Sequence, residues 1–342
     1  MAKSFKVAVV GATGLVGREM LAVLEERGFP VSSLVPLASE RSAGEKLRFA
    51  GDELTVQKAS AASFAGVEIV LMSAGGAASR ELAPLAAKAG AVVIDNSSAW
   101  RMDDAVPLVV PEVNPADVGL YKGRGIIANP NCSTIQMVVA LNPLHQAAGL
   151  KRVVVATYQA VSGKGKRAMD ELSSQVTALF SQREAQVEVF PKRIAFNCVP
   201  HIDVFLEDGF TKEEHKMLFE TRKIMHLPAV GVVATCVRVP VFNGHAEAVV
   251  AEFERPLSPA AARDLLTKAP GVMLMDDPNE TLYPTQLDVD GSDATFVGRI
   301  RQDSSAPNSL AFWCVADNLR KGAASNAVQI AELLARDHLT QR

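Results

Sequence analysis

The residue best suited to covalent chemistry is Cys132, in the run A-N-P-N-C-S-T-I-Q-M over 128–137. The apolar segment 125–128 reads as a buried strand, and the apolar residues from Ile135 to Leu141 suit a helix buried on every side. Pro130 bars helix before that point, and Asn131 or Ser133 is a suitable cap. A cysteine at a helix N-terminus meets free N–H groups and the positive end of the macrodipole, which favour thiolate over thiol. A small apolar core residue is the alternative for any single cysteine. A nucleophilic sulfur also needs a base and an orienting group. His245 follows Asn243 and Gly244 and opens a strand, where an imidazole can act near neutral pH. Arg238, ahead of that turn, offers a planar fork for a carboxylate. Gln159 ends a strand before the Ser162–Gly163 turn, where its amide can bond a substrate or a base. Glu213 and Lys216 share a helix face, either as a solvated pair or as an anion and a cation for a zwitterionic or phosphorylated substrate.

The elements that would carry these groups begin with a strand at Lys6–Val10, running straight into Gly11, Gly14 and Gly17. Helical periodicity continues from Arg18 to Arg27, where Gly28 stops it. Strand, glycine turn and helix in this order suit a dinucleotide pyrophosphate, although the spacing is G-x-x-G-x-x-G rather than G-x-G-x-x-G. A second strand near Val31–Leu37 leads into Ser39, Glu40, Arg41 and Ser42. Arg41 with its two serines points to a 2′-phosphate and so to NADP, whereas Glu40 would suit a ribose hydroxyl. Strands at 68–73 and 92–95, with a helix through Lys88, extend a doubly wound parallel sheet. Gly75, Asn96 and Arg101 then fall beyond strand C-termini, the functional edge of such sheets.

Beyond Cys132 the texture changes. Strands at 152–160, 232–241, 246–253, 295–301 and 310–315 are separated by long helical or loop segments, with helices at 167–180 and 259–268. That pattern predicts an α+β domain on a mixed or antiparallel sheet. Gln182–Val189 and Asp276–Pro284 read as exposed loops. A last helix from Ala323 to about Arg336 carries the stripe Ala324, Ala327, Val328, Ala331 and Leu334, which can dock on the first domain's sheet. The fold class is therefore α/β: an N-terminal Rossmann-type doubly wound sheet over 1–130, joined by the C-terminal segment 318–342, and a second α+β domain over 131–317.

Composition is consistent with this division. The 342 residues are too many for one small core, and the 48% hydrophobic and 21% charged content is ordinary for a globular protein. A formal net charge of -3 with scattered Lys and Arg offers no basic patch, which argues against nucleic acid and anionic membrane as partners. Cys132, Cys198, Cys236 and Cys314 form no C-x-x-C pair, and no histidine cluster has zinc-ligand spacing, so no metal is expected. Sparse cysteine, no apolar run of membrane-spanning length and an N-terminus without a signal-peptide core point to the cytoplasm.

The motifs V-V-G-A-T-G-L-V-G (9–17), A-N-P-N-C-S-T (128–134), Y-Q-A-V-S-G (158–163), R-V-P-V-F-N-G-H (238–245) and D-N-L-R-K-G-A-A (317–324) together resemble aspartate-β-semialdehyde dehydrogenase, in that family's order and over nearly the whole chain. The resemblance implies that Cys132 forms the acyl-enzyme, that His245 is the acid/base and that Gln159 orients the substrate. It further implies that Arg238 binds the α-carboxylate, Glu213 the amine, and Lys216 and Arg101 the phosphate. Its cofactor contacts fall on Gly11, Thr13, Gly14, Leu15, Val16, Gly17, Arg41, Ser42, Ser162, Gly163 and Asn318, to which the turn after the second strand and the sheet edge add Ser39 and Gly75. The activity implied is NADPH-dependent reductive dephosphorylation of aspartyl phosphate to aspartate semialdehyde and phosphate, by a homodimer, in lysine, threonine, methionine and isoleucine biosynthesis. N-acetyl-glutamyl-phosphate reductase does the same chemistry on a longer, acylated substrate, against which Glu213 and the N-G-H turn argue. A non-catalytic Rossmann-type paralogue is the rival of another class.

Overall fold

The computed structural model describes residues 3–339. In chain order these form β1 (Phe5–Val10), α1 (Leu15–Glu26), β2 (Val31–Ala38), β3 (Lys46–Phe49), β4 (Asp52–Thr55), β5 (Gln57–Lys58), β6 (Ile69–Met72), α2 (Gly76–Lys88), β7 (Val92–Asp95) and β8 (Ile126–Ala128). There follow α3 (Cys132–Ala148), β9 (Leu150–Gln159), α4 (Lys166–Phe180), α5 (Lys212–Ile224), β10 (Gly231–Arg238), β11 (His245–Phe253), α6 (Pro259–Lys268), β12 (Val272–Leu274), β13 (Thr295–Gln302), β14 (Ser309–Ala316) and α7 (Ser325–Leu334). The chain divides into two compact units. Among the described residues one unit holds 3–131 together with 323–339, and the other runs from Cys132 to Gly322. The termini of the expected first domain, 1–2 and 340–342, lie outside the described residues.

The first unit is a parallel sheet in the order β5-β2-β1-β6-β7-β8. Strands β6, β7 and β8 are buried at every position, which is why they read as unbroken apolar runs without alternation. Met20, Leu21, Val23 and Leu24 of α1 join Ala327, Val328, Ala331 and Leu334 of α7 in one hydrophobic cluster with the sheet. The C-terminal stripe therefore docks where its amphipathic pattern required. Strand order reverses at β1, so the chain leaving Val10 emerges between the ends of β2 and β6, where a ligand crevice opens in such sheets.

The second unit is a mixed sheet in the order β10-β9-β11-β14-β13-β12, with β10–β9 and β12–β13 parallel and the three inner pairings antiparallel. Helices α3, α5 and α6 pack on it and on one another. Helix α3 is buried around its whole circumference from Ser133 to Leu141, as expected of a helix packed on several sides. Strand β10 stops at Arg238, short of the expected 241, because Pro240 has no N–H to continue the ladder. Asp276 does not belong to an exposed loop. Its side chain is fully buried and accepts from Arg263 Nε at 2.8 Å and from the Ile300 N–H at 3.2 Å.

Candidate active site

The glycine turn and the groups near it are shaped by close backbone approach. Gly11 sits at φ +82°, and its N–H donates to Leu37 O at 2.8 Å; a Cβ there would lie 2.3 Å from Ser73 O. A Cβ on Gly17 would lie 2.1 Å from Gly11 O, so α1 can pack this tightly on β1 only with glycine at both positions. Gly14 precedes α1 with no side-chain cap, and the first turn carries no acidic residue. The N–H groups of that turn are thus set for an outside anion, and Thr13, Gly14, Leu15 and Val16 are partly or fully exposed around them. Gly75, at φ +80°, begins α2 in the same uncapped way. Ser39, Arg41 and Ser42 follow β2 in a short turn, where Glu40 is ion-paired with Lys58. Arg101 is buried in the first unit, donating from Nε to Asn129 O at 2.9 Å and from Nη2 to Asn96 O at 2.7 Å.

The second unit gathers the rest. Ladder register sets Arg238 of β10 beside Gln159 of β9, and Gln159 beside His245 of β11, so the three stand in one row at adjacent strand ends. All three are buried. Gln159 Nε2 donates to Ser133 Oγ and, at 3.3 Å, to Glu213 Oε1. Glu213 Oε2 accepts from Lys216 Nζ at 2.9 Å, and the same ammonium reaches Asp203 Oδ2 at 2.8 Å. Burial alone would push the Lys216 ammonium down, but Glu213 and Asp203 outweigh it and hold Lys216 above its usual range. Helix α5 is anchored by a capping box between Thr211 and Glu214, which fixes the turn bearing Glu213 and Lys216.

Cys132 is the first residue of α3 and is partly exposed rather than sealed in apolar packing. Its Cβ would lie only 2.8 Å from a Cβ on Gly322, so the last residue of this unit must be small for the first to sit as it does. A Cβ on Gly163 would likewise lie 3.0 Å from Arg238 Nη1 and 3.1 Å from His245 Nε2. Arg238 is anchored by its Nη1 donating to Ala160 O at 2.6 Å; burial pushes its pKa down, while the nearby Glu213 and Cys132 oppose that. His245 is fully buried, and burial, aided by the Arg238 charge, pushes its pKa down to about 3. Nδ1 accepts from the Ala160 N–H at 3.1 Å, whereas Nε2 has no hydrogen-bond partner among the described residues.

Behind the histidine lies a network that shapes its turn. Asn318 Oδ1 accepts from the Gly244 N–H at 2.9 Å, and its Nδ2 donates to Ser162 Oγ at 2.9 Å. Asn243 Nδ2 donates to Asp317 Oδ2 at 3.0 Å, and the same oxygen accepts from the Gly291 N–H at 2.9 Å. Ser162 and Asn318, expected as cofactor contacts, are nearly fully buried and tied into this turn. From sequence, Ser133 has only a helix-capping role, and Ala160, Asn243 and Gly322 have no role at the site. All four lie inside the family motifs, Ser133 in A-N-P-N-C-S-T, Ala160 in Y-Q-A-V-S-G, Asn243 in R-V-P-V-F-N-G-H and Gly322 in D-N-L-R-K-G-A-A, which is the available signal; the residue type of Ala160 does not show that its peptide N–H makes the contact. Among the described residues no group of three or more His, Cys, Asp or Glu could hold a metal ion.

Residues 6–121 match the family described as semialdehyde dehydrogenase, NAD binding domain, and residues 141–321 match semialdehyde dehydrogenase, dimerisation domain. An aspartate-semialdehyde dehydrogenase of Aquifex aeolicus is 59% identical over 98% of this chain and 99% of its own. Among solved structures, aspartate semialdehyde dehydrogenase II of Vibrio cholerae, complexed with ASA, superposes with a TM-score of 0.97 at 51% identity, covering 98% of this chain and all of that one. The Candida albicans enzyme, solved with NADP, superposes with a TM-score of 0.74 at 26% identity, covering 97% and 98%. With identity of this degree sustained from end to end and both domain signatures in order, the chain belongs to the aspartate-semialdehyde dehydrogenase family.

Proposed function

We propose that the protein reduces aspartyl phosphate to aspartate semialdehyde, releasing phosphate and using NADP as its nucleotide, in the cytoplasm. The observation that carries this reading is the row Arg238–Gln159–His245 beside a partly exposed Cys132 at the start of α3. The Cys132 thiolate, favoured by the helix N-terminus, attacks the side-chain acyl carbon. The bond from that carbon to the phosphate oxygen breaks, phosphate leaves, and a thioester remains. Arg238 holds the α-carboxylate through its planar fork, Glu213 takes the amine, and Gln159 orients the acyl group. Lys216 and Arg101 are the cations assigned to phosphate. His245 donates a hydrogen bond from Nε2 to the substrate oxygen as charge collects there, and supports it until the carbon–sulfur bond breaks and the thiolate is regained.

The nucleotide would be held by Gly11, Thr13, Gly14, Leu15, Val16, Gly17 and Gly75, with Ser162, Gly163 and Asn318 as further contacts. When bound it supplies the hydride that takes the thioester to the aldehyde level. Arg41, Ser39 and Ser42 are assigned to a 2′-phosphate, and the pairing of Glu40 with Lys58 removes the acidic competitor for a ribose hydroxyl. A homodimer is assigned to the outer sheet face of the second unit, where Val154, Tyr158, Ala248, Val250 and Trp313 are partly exposed and apolar. No helix among the described residues is long and apolar enough to cross a membrane.

The test is phosphate-dependent reduction of NADP by aspartate semialdehyde. Cys132→Ser should lose turnover by roughly a thousandfold or more while still binding NADP. Substrate should also shield Cys132 from alkylation. Turnover at the normal rate by the serine variant would refute the assignment.

A further inference from the structure

We propose that Glu247 is a positioning residue for His245: an uncharged carboxylic acid, held in the core of the second unit, that fixes Gln136 against the histidine's backbone. The inference rests on the role given to His245 above. His245 and Glu247 are two apart on β11 and so point to the same face. Register puts Thr157 on one side of Glu247 and Cys314 on the other, with Cys236 beyond Thr157. The row directly behind Arg238–Gln159–His245 is therefore Cys236–Thr157–Glu247–Cys314.

Glu247 is fully buried, and among the described residues neither carboxyl oxygen has a hydrogen-bond partner. The titratable groups around it are the thiols of Cys236 and Cys314, both pushed up by burial, and His245 itself. Helix α3, packed over β11, contains no Asp, Glu, Lys or Arg. An ionised carboxylate here would be an isolated charge in apolar packing. Burial indeed drives the Glu247 pKa well up, and the Gln136 amide offsets only part of that.

Gln136 Nε2 donates to the His245 carbonyl at 3.2 Å, while Gln136 Oε1 is buried without a partner among the described residues. The amide oxygen lacks a donor, and a carboxyl provides one only when protonated. Protonation thus completes a chain from Glu247 through Gln136 to the backbone of His245, at the first residue of its strand. An apolar side chain at 247 would leave Gln136 free to turn away and the histidine carbonyl without its donor.

The experiment compares E247Q with E247L in the full chain. E247L should lower kcat by about tenfold to a hundredfold with little change in the semialdehyde KM. E247Q, which keeps shape and donor, should restore most of that loss. In the wild type the folded acid keeps a proton that unfolded Glu releases, so stability falls as pH rises above the ordinary Glu range. E247Q should abolish that slope and melt higher at alkaline pH. The infrared difference between wild type and E247Q at neutral pH should show the carbonyl band of a protonated carboxyl. A carboxylate band, wild-type kcat in E247L, or E247Q as impaired as E247L would each overturn the proposal. The infrared and melting measurements need no turnover, so they stand apart from any failure of the semialdehyde assay.

Discussion

The backbone N–H of Ala160 donates to Nδ1 of His245 at 3.1 Å. A ring nitrogen that accepts a hydrogen bond cannot hold the proton, so the assignment that follows from this contact is a neutral imidazole with its hydrogen on Nε2. A second proton would have to enter at Nδ1, against that N–H and close to the Arg238 cation. The ring is thereby kept as a neutral donor toward the Gly163 side of the site. His245→Ala should lower kcat by about a hundredfold to a thousandfold with a smaller effect on KM. Nitrogen-15 spectra of the ring should show the hydrogen on Nε2, and the opposite tautomer would sink the assignment.

The same burial has a stability consequence with a definite sign. In the unfolded chain this imidazole titrates near its ordinary value of 6.5, and in the folded chain near 3. Between those values the unfolded state binds more protons, so the contribution is present above pH 6.5 and lost as pH falls toward 3. Melting temperature should therefore decline with acidification across that window, and less steeply in His245→Gln. Parallel acid limbs for the two proteins would contradict it.

Two glycines act by leaving room. Gly163→Ala would place a methyl against Arg238 Nη1 and His245 Nε2, and Gly322→Ala would place one against the Cβ of Cys132. Neither position lies at positive φ, so the backbone tolerates alanine and the cost falls on the site. Each change should reduce kcat/KM by about tenfold or more; Gly322→Ala should also alter the alkylation rate of Cys132. Full activity in both would show that these contacts do not matter.

Arg41→Ala tests the nucleotide assignment. Loss of the guanidinium should weaken NADP by roughly tenfold or more, as for a lost charged contact of about 1.5–3 kcal/mol, and leave NAD little affected. Titration of both nucleotides by protein fluorescence reads this directly, and equal losses for the two would remove Arg41 from the 2′ position.

The sheet of the first unit was readable because parallel strands buried on both faces leave continuous apolar runs, and Gly11 and Gly17 mark where a Cβ cannot fit. Cys132 was readable because Pro130 and the apolar stretch after it announce a turn into a buried helix. Glu247 was not. Its strand was expected, but a carboxylate on a strand gives no sign of whether its face is wet. Nor could Asp276 be separated from its loop, since its partners, Arg263 and Ile300, come from other elements.

Local order decided the elements, the candidate nucleophile and the chemical kind of each candidate site group, because helix periods, turn residues and caps act over a few neighbours. The tertiary structure alone decided which groups stand side by side and in what ionisation state. Register across β10, β9 and β11 joins Arg238, Gln159 and His245 from distant segments. Proton placement on His245 and Glu247 then follows from desolvation and from partners that only the packed fold brings near.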